Sequence, residues 1–281
     1  MSYGPTPWQQ AHWDWRAAGN FVCGGAGAGL LVFAAFGGTE AGARAALILL
    51  GLALVGAGLS CVWLEIGRPW RALHVFFNPR TSWMSREAFA AALLFPAGLA
   101  GAAGYAPAAW AAGLLALAFL YCQARILRAS RGIPAWRQPG IVPLIVATGL
   151  TEGCGLYLVL QPVHGSAGPV LMAVFAALVA LRWANWVAYR RRLGNRVAAP
   201  ARAALDRAGD TLQRVGSYLA FALIAPVGIG LASGLAAQAL AVAAGAAAAF
   251  AGANLKHTLI TRAGFNQGFA LAALPVRGAR L

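Results

Sequence analysis

Residues 64–87 read LEIGRPWRALHVFFNPRTSWMSRE and interrupt an otherwise oily chain. The stretch gathers Glu65, Arg68, Arg71, His74, Arg80, Arg86 and Glu87 beside Trp70, Phe76, Phe77 and Trp83. Pro69 and Pro79 forbid one continuous helix, because proline lacks an amide donor and its ring clashes with the preceding turn. Apolar runs flank the stretch on both sides. A polar, proline-broken segment between two such runs predicts a loop or a short re-entrant or interfacial segment at a membrane boundary.

The flanking pattern extends over the whole chain. Of 281 residues, 60% are hydrophobic and only 10% charged, against about 25% charged in soluble domains. The mean hydropathy is +0.67. A helix needs about 20 apolar residues to cross roughly 30 Å of hydrocarbon, and the runs 17–37, 42–64, 85–104, 107–128, 140–161, 168–190, 212–232 and 235–256 meet that need. The expected fold is therefore all-α, a polytopic bundle of eight transmembrane helices forming one membrane domain over 1–281. Small residues at GGAGAG (24–29), GAGLS (56–60) and the alanine-rich run 236–254 predict close helix packing. The longest loop is expected at 193–211, and 257–281 is expected to be an interfacial tail.

A net charge of +15 would point to nucleic acid in a soluble protein. Here the charges fall in the connections between spans and report topology instead. Eight spans place twenty of the 22 basic residues on one side, leaving Arg44 opposite and Arg182 within a span. The positive-inside rule then puts both termini and residues 64–87 on the cytoplasmic side of a bacterial or archaeal inner membrane. The first seventeen residues lack the basic and apolar regions of a cleavable signal peptide. Cys23, Cys61, Cys122 and Cys154 form no CxxC pair, so no zinc, iron–sulfur or other metal site is expected in this chain. His12, His74, His164 and His257 fall in tails, loops and span ends, which argues against a transmembrane haem.

Glu87 is the foremost functional candidate. With Ser85 as a helix cap it would lie in the first turn of the third span, where an acid simply suits the helix dipole. The density of ionisable and aromatic groups around it favours a second reading. A quinone head group needs hydrogen-bond partners, a proton source and flat apolar walls. Glu87 would exchange the proton, and His74, Arg71, Ser82, Trp83 and Arg86, with Asn20 and Trp15 at the edge of the first span, would surround the ring. Glu152, at bilayer depth in TGLTEGCG, is costly to bury and therefore a functional candidate; it is read either as one half of a pair with Arg182 or as part of a proton path containing both. Arg68, Arg80, Lys256, His257, Arg262 and Arg277 form an expected docking face, the alternative being a segment lying on lipid headgroups.

Gly67-Arg68-Pro69, the aromatic loop after it, and Ser82-Trp83-x-Ser85-Arg86-Glu87 resemble the signature of membrane-anchor subunits of molybdopterin oxidoreductases, the dimethyl sulfoxide reductase and polysulfide reductase type. GGAGAG resembles the small-residue cluster of that family, and the eight spans extend the likeness along the chain. The resemblance implies a haem-free anchor that binds menaquinone or ubiquinone. It would pass electrons between the quinone and an iron–sulfur subunit, itself joined to a molybdenum or tungsten catalytic subunit. It also implies that Glu87 is the acid near the quinone. Glu65 stands where the dimethyl sulfoxide branch often has histidine. Orientation and tail look more like anchors of enzymes with a cytoplasmic substrate, for which phenylacetyl-CoA:acceptor oxidoreductase is the named candidate. The rival readings are a secondary transporter using Glu152 and Arg182, and a purely structural anchor.

Overall fold

The computed structural model describes residues 6–37, 40–66, 69–165 and 168–268. Among these the chain is helical throughout, with no strand beyond an isolated bridge between Gln9 and Phe265. The long helices are α1 (Trp15–Phe36), α2 (Ala41–Glu65), α3 (Trp83–Ala102), α4 (Ala106–Ala129), α5 (Ile141–Val159), α6 (Pro169–Leu193), α7 (199–228) and α8 (Gly234–Thr261). Six of them, α1, α2, α4, α5, α6 and α8, are long and apolar enough to cross a membrane. The two outside this set carry their charges on helical turns. Arg86 and Glu87 lie near the start of α3, and Arg202, Asp206, Arg207, Asp210 and Arg214 fall within the first sixteen residues of α7. Leu49, Leu93, Trp110, Leu114, Leu181 and Phe250 are exposed on the outer faces. Water would not tolerate that much apolar surface, and the chain is a multi-pass membrane protein.

α7 begins at Ala199, so most of the expected 193–211 loop is helix. Pro200 sits in the first turn, where its missing amide costs nothing. Ala201, Ala204, Leu205, Ala208 and Leu212 then recur at helical spacing and bury a stripe beside Trp186 and Leu193 of α6. A charged outer face had masked this amphipathic helix in the sequence. Between α2 and α3, residues Pro69–Phe77 wind into a 3-10 helix. At the same end of the bundle the N-terminal segment meets the end of α8: Gln10 donates its amide to Gly264 at 2.8 Å, and Asn266 donates to Trp8 at 3.0 Å.

α5 is the central rod, packed against α1, α4, α6 and α8. The glycines of α1 explain how four neighbours fit. Gly27 lies against the backbone of Gly51 in α2, and Gly29 lies against Gly149 and Gly153 of α5. A Cβ at Gly153 would overlap the Gly29 backbone, which cannot move aside as a side-chain tip can. Gly153→Val is therefore expected to lower the unfolding temperature in detergent by about 5–10 °C. Gly42→Ala, where an added Cβ meets nothing within 4 Å, should leave it unchanged in the same scan.

Candidate functional site

Ser82, not Ser85, caps α3: the Ser85 amide donates to the Ser82 hydroxyl at 3.3 Å. Helix therefore starts at Trp83, and Glu87 falls beyond the first turn on the inward face, 5% exposed. The helix-dipole reading of Glu87 loses its geometry. Asn20 of α1 donates its amide to Glu87 Oε1 at 3.3 Å, and the Gln123 amide of α4 also stands at the carboxyl. Gln123 Nε2 in turn donates to the Asn20 carbonyl at 2.9 Å. Three helices thus converge on one buried acid.

Glu87 separates two cavities. The larger, about 390 Å³, is walled by Leu59 and Trp63 of α2, Leu73 and Phe76 of the 3-10 segment, and Ala91 and Phe95 of α3. Its lining is almost wholly apolar, and Glu87 is the carboxylate in its wall. A flat apolar ring fits such a space, and the one acid is placed at its edge. The smaller, about 50 Å³, lies behind Glu87 and is lined by Trp13, Asn20, Glu65 and Met84 among others.

The other expected ring contacts lie elsewhere. Arg71 and His74 are exposed on the outer face of the 3-10 segment, with His74 packed edge-on against Phe77. Short 3-10 turns eclipse every third side chain, so Ala72, Val75 and Phe76 face the cavity instead. The Trp83 ring lies between the Arg86 and Arg125 guanidiniums, each 4.1 Å from its centroid. Arg86 also donates to the carbonyls of Pro79 (2.8 Å) and Arg80 (2.7 Å), tying the loop to α3. Trp15 lines a separate groove with His257 between α1 and α8. Among the docking residues Arg80 and Arg262 are exposed and His257 is half-buried, while Arg68 and Arg277 fall outside the described residues.

Lys256 corrects the docking expectation. α8 continues to Thr261, so Lys256 lies inside the helix rather than at its end, and it is fully buried. Its amine is ion-paired with Glu152 of α5 and donates to the Phe21 carbonyl of α1 at 2.7 Å. Arg182 is not the hydrogen-bonded partner of Glu152. It donates instead to the carbonyls of Ala248 and Gly216, both at 2.7 Å. Sequence reasoning missed Gln123 and misplaced Lys256. Each carries a signal visible in hindsight, as an amide in the apolar run FLYCQA and a lysine with helical residues on both sides.

The fold and the site define an integral membrane protein with a buried acid opening into an apolar cavity near one end of its bundle. Residues 5–100 match the sequence model of the family described as Polysulphide reductase, NrfD. The matched third contains α1, α2, the 3-10 segment and most of α3, and thus every wall of the larger cavity. No curated protein matches the chain.

The buried pair gives a direct stability test. Removing one partner of such a pair strands the other charge at a cost of about 3–5 kcal/mol. Glu152→Gln alone should therefore lower the unfolding free energy in detergent by about that amount. Glu152→Gln combined with Lys256→Met should recover most of it, because no charge is then left unpaired.

Proposed function

We propose that this chain is the quinone-reactive membrane anchor of a multisubunit molybdenum or tungsten oxidoreductase, with eight helices spanning the bilayer and both termini cytoplasmic. The observation that carries the reading is Glu87, a buried carboxyl in the wall of a largely apolar cavity at one end of the bundle. The cavity lies in the region that matches the family. When bound, menaquinone or ubiquinone supplies a carrier of two electrons and two protons. The electrons would pass one at a time to or from an iron–sulfur partner subunit, which connects to the catalytic molybdopterin subunit.

This chain's residues bind, exclude water and manage protons. Trp63, Phe76 and Phe95 offer flat and apolar surface to a ring. Glu87 holds a proton at its carboxyl within reach of the cavity, and Asn20 and Gln123 keep that carboxyl oriented. The small cavity behind Glu87 reaches Glu65 at the last turn of α2, giving protons a short way to the cytoplasmic boundary. Arg71, Arg80 and Arg262, exposed around this end, supply a basic face for the partner subunit.

Substitution in the assembled complex tests the reading. Glu87→Gln preserves shape and removes the titrating group, so quinone-coupled turnover should fall by about a hundredfold or more. Activity of the catalytic subunit with a soluble redox dye should survive. Ala91→Trp, which fills the larger cavity, should raise the KM for a short-chain quinone in the same assay. Unchanged quinone-coupled turnover in Glu87→Gln would rule the site out.

A further inference from the structure

Helix α1 is not α-helical throughout. Residues Asn20–Gly24 form a π turn, in which the backbone ladder slips by one residue. Isolated π turns are uncommon and occur often at functional sites, because they turn a side chain out of register and loosen carbonyls from the ladder. Two adjacent carbonyls at this turn are taken by side chains from distant helices. Gln123 of α4 donates to the Asn20 carbonyl, and Lys256 of α8 donates to the Phe21 carbonyl. Asn20 is also the residue whose side chain reaches Glu87.

We propose that Lys256 is a positioning residue for the quinone site, acting through the π turn to hold Asn20 on Glu87. The inference rests on the quinone reading of the Glu87 cavity. Lys256 itself lines neither of the cavities that meet at Glu87. Its partner Glu152 fixes the amine from the other side, so the ion pair is an anchor and Phe21 is what it grips. If Lys256 lets go, the Phe21 carbonyl can rejoin an ordinary α ladder. Reverting a π turn to α rotates the residues on one side of it by about 100° relative to the other. Asn20 then leaves the carboxyl, and Glu87 loses the amide that orients it.

The glycines of the turn fit this account. An ideal Cβ on Gly24 would lie 2.8 Å from Gln123 Nε2 and 3.2 Å from Asn20 Oδ1. A Cβ on Gly25 would overlap the Lys256 amine and meet Gln123 Oε1 at 3.3 Å. The first two glycines of GGAGAG thus hold open the space in which the amides and the amine reach the backbone. Among the described residues, Asn20 Oδ1, Gln123 Oε1 and Glu152 Oε1 have no hydrogen-bond partner. They are acceptors at which ordered water would complete the chain from Glu152 to Glu87.

Variants of the assembled complex decide the matter, assayed with a short-chain quinone and with a soluble dye as the control for assembly. Gly25→Ala leaves every charge in place, displaces the flexible tip of Lys256 and presses more lightly on Gln123 Oε1. The Glu152→Gln/Lys256→Met pair removes the grip without stranding a charge. Both should raise the quinone KM or lower quinone-coupled kcat by about tenfold, the equivalent of one hydrogen bond to a charged group. Dye-linked activity should stay intact in both. Lys256→Arg, which can still reach both Glu152 and a carbonyl, should keep KM and kcat close to the parent values. In the infrared difference spectrum, the Glu87 carboxyl band should move in Gly25→Ala in the same direction as in Asn20→Leu. If both variants keep the parent KM and kcat while Glu87→Gln abolishes turnover, the positioning role is wrong and the quinone site stands. If Glu87→Gln itself keeps turnover, the quinone reading fails and takes this inference with it.

Discussion

A lysine amine buried among helices must find acceptors inside the protein, because lipid supplies none. Lys256 finds two, the Glu152 carboxylate on α5 and the Phe21 carbonyl on α1, and so joins three helices at one point. Apolar contacts alone would leave these helices free to slide, since lipid tails compete equally well for apolar surface. A directional bond at that depth fixes both their spacing and their rotation. The close glycine contact of α1 with α5 accords with this, because it requires Gly29 to face Gly149 and Gly153.

The second buried cation repeats the arrangement. Arg182 of α6 donates to Gly216 within a π turn at residues 214–219 of α7, as Lys256 donates to Phe21 within the π turn of α1. In each case a buried positive charge is matched to a break in a backbone ladder. A π turn loosens carbonyls from the ladder, so a buried cation that bonds one and the turn that offers it stabilise one another. Glu152 and Arg182 are accordingly held by different partners, although they are the two charges that stand out when the spans are read as a sequence. The pairing that the sequence invites would have left the Phe21 and Gly216 carbonyls without these donors.

What was legible in the sequence was whatever depends on composition and period. The apolar runs fall on the observed long helices, and the proline-broken segment falls on the 3-10 turn between α2 and α3. Glu87 stood out as well, since a carboxyl flanked by Ser, Trp and Arg at a span boundary is rare in an oily chain, and the structure buries it in a cavity wall. Which neighbours touch it was not legible. His74 and Arg71 are near Glu87 in sequence yet point outward, while Gln123 is distant in sequence and lies beside the carboxyl. The 3-10 winding turns Arg71 and His74 outward, and the packing of α4 brings Gln123 in; neither is written in the local residue pattern. Lys256 was misread for a related reason: its place depends on where α8 stops, and helix ends are the least determined feature of an alanine-rich run.

The walls of the larger cavity come from α2, the 3-10 segment and α3, all within the stretch that matches the family. The groups behind Glu87 divide differently. Asn20 belongs to that stretch, but Gln123, Glu152 and Lys256 come from the remaining two thirds of the chain. An apolar pocket with one acid could be made by two helices and a lid. Behind that acid, α4 supplies Gln123, and the ion pair of α5 and α8 bonds the Phe21 carbonyl next to Asn20. The later helices therefore supply the polar backing behind the acid in the cavity wall.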